Sequence, residues 1–265
     1  MKVFISADIE GITTTTFWPE TEPENPEYKA HADQMTKEVQ AACQGALEAG
    51  ATEIVVRDAH GYANNIDIHA LPKEAKLIRG WSGHPYMMVF GIDHTFDAAV
   101  FIGYHSAASK RGNPMSHTES LRPLYVKING RLASEFMLFS YAAALEKVPT
   151  VFLSGDKQLC EDSKDLHPGL ITCPVKEGFG EAIVHENPVN TLKSIKSGVC
   201  QALDQNQEHG LPVLPDRYEM EICYKDHVKA EKFSYFPGVE RVSDNTIRFI
   251  TDDYFELLRV FSFVN

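Results

Sequence analysis

The chain reads as an α/β protein: a mostly parallel sheet flanked by helices, a metal site at the carboxyl ends of its strands, and a C-terminal β-α-β-α segment. Three observations lead there. Four short apolar runs, 1–7 (MKVFISA), 52–57 (TEIVVR), 98–104 (AAVFIGY) and 150–155 (TVFLSG), have the length of buried strands. Helical periodicity recurs between strand runs. Three of the runs end in potential ligands, Asp8 and Glu10, Asp58 and His60, and His105, and the fourth runs into Asp156. Open parallel sheets bind ligands in the crevice at those carboxyl ends, where residues far apart in sequence converge.

The first run leads into 14–28 (TTTFWPETEPENPEY), rich in Pro, Glu and Thr. This is an irregular excursion, a lid or a solvated loop. Met35, Val39, Cys43, Ala46 and Leu47 then recur at helical spacing across 31–49, and Gly50 supplies a stop. The strand at 52–57 completes a βαβ unit with a right-handed crossover. Residues 71–85 are mixed. After the third strand, 124–128 followed by Asn129-Gly130 reads as a hairpin. Ser134 caps a helix through Lys147, with Glu135 in its first turn. The fourth strand is followed by helices near 157–163 and 188–203. Polar residues and two prolines make 205–215 the best linker candidate. Beyond it come strand 217–224, helix 226–233, a Pro237-Gly238 turn, strand 246–251 and helix 253–263. This divides the chain into a catalytic metal-binding α/β domain, 1–205, and a C-terminal subdomain, 206–265, packed onto it.

A length of 265 residues can bury a large core, and 43% hydrophobic with 23% charged residues is ordinary for a globular protein. The formal charge of −12 and the lack of any Lys/Arg block argue against nucleic acid. No apolar run approaches the roughly 18 residues of a membrane span. The first strand run, broken at Asp8, is too short for the core of a signal peptide. Five cysteines (43, 160, 173, 200 and 223) without a CxxC pair read as reduced, buried thiols in the cytoplasm.

Asp8 and Glu10 are two apart, so on a strand they share a face. Two such carboxylates repel unless a cation lies between them or one is protonated; the other reading is a cap or loop acid. His60 is a ligand candidate with Asp58 as its outer support, or Asp58 caps the following turn. His105 follows a buried strand, as a ligand or a satisfied core histidine. His117, in Met-Ser-His, is exposed, a ligand or a general acid. Glu135 suits a helix N-terminus with or without a metal. The remaining histidines (31, 69, 84, 94, 167, 185, 209 and 227) lack such partners and read as structural or exposed. There is no GxSxG, no GxxxxGK[ST], no HExxH and no GxGxxG after a strand.

As a set, these anchors resemble the binuclear zinc D-aminopeptidase family of the DppA type. The matching residues are Ser6-Ala7-Asp8-Ile9-Glu10-Gly11, Asp58-Ala59-His60 with Asn64-Asn65, Gly103-Tyr104-His105, Met115-Ser116-His117, Ile128-Asn129-Gly130-Arg131 with Glu135, and Ser154-Gly155-Asp156. The last hundred residues resemble the family more loosely, and 14–28 is not closely matched. The resemblance implies two Zn²⁺ per chain. Asp8 would bridge them, with Glu10 and His105 completing one site and His60 and Glu135 the other. It implies His117 as the catalytic residue, stabilising the oxyanion or protonating the leaving amine. It also implies a homo-oligomer, a ring-like decamer. Three carboxylates and one hydroxide would balance two Zn²⁺, and three protein ligands per ion leave a position for water, whose pKa the metal lowers to about 7. The reading is a cytoplasmic dizinc aminopeptidase acting on short peptides. Alternatives are another dizinc amide or ester hydrolase, or a silent peptide-binding protein.

Overall fold

The computed structural model describes residues 1–167, 169–205 and 211–265. A seven-stranded sheet forms its centre. It comprises β1 (Lys2–Ala7), β2 (Glu53–Asp58), β3 (Ala75–Ile78), β4 (Ala98–Tyr104), β7 (Thr150–Asp156), β8 (Ile171–Phe179) and β9 (Ala182–His185), in the order β3-β2-β1-β4-β7-β8-β9. All neighbours run parallel except the hairpin of β8 and β9. The chain steps outward from β1 to β2 and β3 on one side, and from β4 to β7 and β8 on the other. The order therefore reverses between β1 and β4, and a crevice opens there at the carboxyl ends.

Period-two alternation splits the core between the two faces of this sheet. Val3, Ile5, Ala98, Val100 and Ile102 pack with α1 (Tyr28–Glu48) and α4 (Pro188–Asp204). Phe4, Ala99 and Phe101 face the other way, toward α2 (Glu135–Leu145) and α6 (Tyr254–Val264). Each fully buried Val, Ile or Phe adds roughly 1.5–3 kcal/mol, so an apolar strand covered on both faces anchors the fold.

A second, antiparallel sheet lies beyond α2 and α6. It holds β5 (Pro123–Ile128), β6 (Arg131–Leu132), β10 (Tyr218–Tyr224), β11 (Glu240–Arg241) and β12 (Thr246–Thr251), in the order β11-β12-β10-β5-β6. It draws strands from both sides of the 205/206 boundary, with Ile128 opposite Met220 and Val126 opposite Ile222. The hairpin at Asn129-Gly130 forms, with both residues at positive φ as a primed turn requires. Ser134 accepts from the Met137 N–H, and Asp226 caps α5 (His227–Ser234) through the Val228 N–H. The short helix α3 (Lys157–Ser163) starts on Asp156.

Strands β3, β8, β9 and the two-residue β11 are absent from the sequence reading. β3 is four half-exposed residues inside the stretch read as mixed. β8 carries Pro174, Lys176 and Glu177, which break an apolar pattern. Residues 206–210 of the linker at 205–215, His209 among them, fall outside the described residues.

Candidate metal centre

The first strand ends on Asp8, and a tight turn follows. Gly11 donates its N–H to the Gly103 carbonyl at 2.7 Å. Gly103 has φ +72°, and a Cβ there would sit 2.3 Å from the Asp8 carbonyl oxygen. Only glycine allows this approach. It presses the Asp8–Glu10 turn onto the end of β4, beside His105. From beneath, the buried Lys176 ammonium donates to the Glu10 and Thr15 carbonyls.

Five side chains predicted as ligands, and His117, meet here. Asp8, Glu10, His105 and Glu135 are at most 2% exposed. His60 Nδ1 lies 3.3 Å from Asp8 Oδ1 and 3.0 Å from Glu10 Oε2. His105 Nε2 lies 3.5 Å from Asp8 Oδ2 and 3.2 Å from Glu135 Oε2. His117 Nε2 lies 3.5 Å from Glu135 Oε1 and 4.0 Å from Glu10 Oε1, and its ring stacks on His105 at 4.4 Å. Three donor groups result: Asp8–Glu10–His60, Asp8–His105–Glu135 and Glu10–His105–His117. The closest pairs are His60 with Glu10 and His105 with Glu135, whereas the resemblance pairs Glu10 with His105 and His60 with Glu135.

The tautomers follow from the other ring nitrogens. His60 Nε2 lies 3.0 Å from the Thr21 carbonyl, His105 Nδ1 2.9 Å from the Ser106 carbonyl and His117 Nδ1 2.9 Å from the Met115 carbonyl. A carbonyl only accepts, so each of these nitrogens carries the proton. Each neutral ring then turns a bare nitrogen toward carboxylates, which also only accept. His105 Nε2 and Glu10 Oε2 are buried with no hydrogen-bond partner. Acceptors facing acceptors at this range call for a shared proton or a metal cation between them.

Without a metal cation, the cluster holds protons. Burial and the charge of Glu10 hold the Asp8 carboxyl well above its ordinary range. Burial alone would lower the imidazoles, but Glu10 and Asp8 hold His60 well up, and Glu135 and Asp8 push His105 up to about 10. His117 goes the other way, lowered by burial and by the charge of His105.

Asp58 accepts from the Asn65 N–H at 2.6 Å, the Asn65 side-chain amide at 2.7 Å and the Ile66 N–H at 2.8 Å. It caps the next turn, and the Thr21 carbonyl orients His60 instead. Thr21 belongs to the 14–28 excursion, which forms one wall of a pocket of about 540 Å³ over the cluster. Trp18 meets the His117 ring edge-on at 5.2 Å. Sequence reasoning missed Trp18, Trp81, Glu119 and Lys176 as parts of this site. An aromatic beside Pro19 in a loop near the first ligands was the available signal for Trp18; Glu119 gave none. None of the five cysteines joins a donor group among the described residues.

Fold and cluster together define a class: an α/β enzyme that works on its substrate at the carboxyl end of a parallel sheet. The peptidase M55 family model, D-aminopeptidase, matches residues 1–263. A D-aminopeptidase of Bacillus subtilis (strain 168) is 31% identical over 259 residues, covering 97% of this chain and 93% of that one. A solved structure, the Zn-dependent D-aminopeptidase DppA from Bacillus subtilis, a self-compartmentalizing protease, superimposes with a TM-score of 0.93 at 30% identity, covering 100% of this chain and 96% of the other. The chain belongs to the D-aminopeptidase family. It is an aminopeptidase, a hydrolase of the peptide bond next to a free amino terminus.

Proposed function

We propose that this aminopeptidase removes D-residues from the amino terminus of short peptides, with two zinc ions held by Asp8, Glu10, His60, His105 and Glu135 and with His117 as the proton-transfer group. The observation that carries this is the row of bare imidazole nitrogens facing carboxylates at 3.0–3.5 Å. Zinc takes that donor set, neutral imidazole and carboxylate oxygen. Each metal-bound histidine commonly passes its second N–H to a carbonyl or carboxylate, as His60 and His105 do here. Asp8 offers Oδ1 to the His60–Glu10 group and Oδ2 to the His105–Glu135 group, which supports it as the shared ligand. The short contacts favour Glu10 with His60 and His105 with Glu135 as the two halves.

Bound zinc would supply Lewis-acid polarisation of the scissile carbonyl and activation of water near neutral pH. The chain supplies the rest. His117 is neutral, with its proton on Nδ1 and its lone pair on Nε2 toward the cluster. It can take the proton of the attacking water and then hand it to the departing amine. The Met115 carbonyl favours the imidazolium formed in between. Trp18 covers the ring and limits solvent access.

The D-preference and the assembly are carried from the relatives. We extend to this chain a homo-oligomer, a decamer in the finest reading, and a cytoplasmic location consistent with five free thiols. No helix among the described residues is long and apolar enough to cross a membrane.

The test is a panel of D- and L-aminoacyl amides and short peptides, run on chelated and zinc-reloaded protein with metal content measured in parallel. Expected are about two zinc ions per chain, loss of turnover on chelation, recovery with zinc and faster D-substrates. Turnover that survives complete metal removal overturns the reading. Light scattering checks the oligomer.

A further inference from the structure

Glu119 lines the pocket, yet belongs to none of the three donor groups. Its Oε1 is closed off from solvent and has no hydrogen-bond partner among the described residues. Its backbone has φ +62°, a region that residues with a Cβ avoid, and Thr118 and Ser120 bridge across it. Such a conformation persists only where the surroundings enforce it, and it clusters at ligand sites. One enforcing contact is the Glu119 N–H, which donates to Glu135 Oε1 at 2.6 Å. The Glu119 backbone is thereby tied to the cluster.

No side-chain cation among the described residues hydrogen-bonds its Oε1. Neither lysine nor arginine lines the wall. Arg57, a buried guanidinium whose charge reaches Glu119, donates to the Gly80 carbonyl and lies 4.5 Å from the centroid of the Trp81 ring, and makes no hydrogen bond to the Glu119 carboxylate. Trp18, Trp81, Met88 and Leu121 contribute apolar surface to the same pocket, beside the acids and histidines of the cluster. A carboxylate in such surroundings calls for a charged donor, and the low dielectric strengthens the pair once formed.

Resting on the aminopeptidase reading, we propose that Glu119 receives the α-ammonium group of the substrate. That group is the one cation every such substrate carries. It stands one carbon from the scissile carbonyl, so holding it at Glu119 sets the carbonyl over the neighbouring cluster. Glu119 is a substrate-binding residue, and the enzyme reads a free, protonated amino terminus by it. An N-acylated peptide would leave the carboxylate unanswered and be rejected.

The test uses the zinc-loaded protein and two small probes, D-alaninol and the neutral propane-1,2-diol, titrated calorimetrically. An ion-paired hydrogen bond favours the amine by about tenfold or more. Glu119→Gln should erase that preference with zinc content and Tm unchanged, while Glu119→Asp keeps part of it. On a D-alanyl anilide, Glu119→Gln should raise KM by about tenfold or more and leave kcat within about threefold, as removal of uniform binding does. Unchanged amine binding in Glu119→Gln, loss of zinc from it, or a wild type without amine preference overturns the proposal. If the anilide is not cleaved by wild type but the amine preference disappears in Glu119→Gln, the peptidase reading fails and the ammonium site stands.

Discussion

Asp8 and Asp58 end or follow neighbouring strands, each two residues ahead of a ligand candidate, with Ala7 opposite Asp58 in register. Their chemistry is opposite. Asp58 receives three N–H donors from Asn65 and Ile66 and is complete. Asp8 receives one, from its neighbour Ile9 at 2.9 Å, and otherwise faces imidazole nitrogens. Asp156, at the end of β7, sides with Asp58: it accepts from the Ser106 N–H and hydroxyl and from the Leu159 N–H. A carboxylate at a strand end is therefore not a metal signal by itself. The supply of local donors decides whether the acid finishes a turn or needs a cation.

The comparison breaks most visibly by truncation. Asp8→Ala should remove zinc from both halves of the cluster and abolish turnover, since both donor groups share it. Asp58→Ala should keep zinc and measurable activity. It should instead destabilise the fold, by about 1–3 kcal/mol for each backbone N–H left without an acceptor. Metal analysis and urea denaturation of the two variants separate the outcomes. Full zinc and activity in Asp8→Ala would falsify the shared-ligand assignment.

The histidines sharpen it next. His60→Ala should lose zinc and activity together. His117→Ala should keep near-normal zinc while kcat falls roughly 10²–10⁴-fold, the usual worth of a positioned proton-transfer group. The same preparations must supply both numbers. Loss of metal from His117→Ala would make it a ligand, through the group it forms with Glu10 and His105.

The apolar strands and the capped helices were legible because each is written locally: alternation with burial on both faces, and Ser134 or Asp226 ahead of a helical pattern. Asp8, Glu10, His60 and His105 were legible as candidates because they follow those strands directly, whereas Glu135 opens α2 and His117 stands in a loop. What escaped was tertiary. Lys176 reads as a surface residue, yet its ammonium is buried under the Glu10 turn, and this hid β8. Glu119 stands in a loop whose conformation comes from a contact with Glu135, sixteen residues on. The choice between outer support and turn cap for Asp58 depended on where the Asn65 amide falls. The pairing of Glu10 with His60 rather than His105 depends on a side-chain position that spacing does not contain.

The smallest effect is thermodynamic and appears only when the metal is removed. In the chelated protein His105 has a pKa of about 10, set against burial by Glu135 and Asp8, and His60 is raised in the same sense. The unfolded chain releases these protons near the ordinary value of about 6.5. Above that pH the folded form holds more protons than the unfolded one, so stability falls with rising pH. The stabilisation is complete below about 6.5 and is lost as pH climbs toward 10. The raised Asp8 carboxyl acts with the same sign from its own ordinary pKa upward. Glu10 and Glu135 are lowered, which their histidine neighbours bring about against burial, so their contribution is lost on the acid side. Bound zinc requires the imidazoles unprotonated and replaces the protons, so the loaded protein should lack the alkaline decline. Urea midpoints at mildly acidic and at alkaline pH, each with and without chelator, measure this. The chelated protein should lose more than the loaded one on going alkaline, and Asp58→Ala should show the same gap as wild type. A chelated midpoint that rises with pH would mean that His60 and His105 do not hold protons between the carboxylates, and the contrast between Asp8 and Asp58 would lose its electrostatic basis.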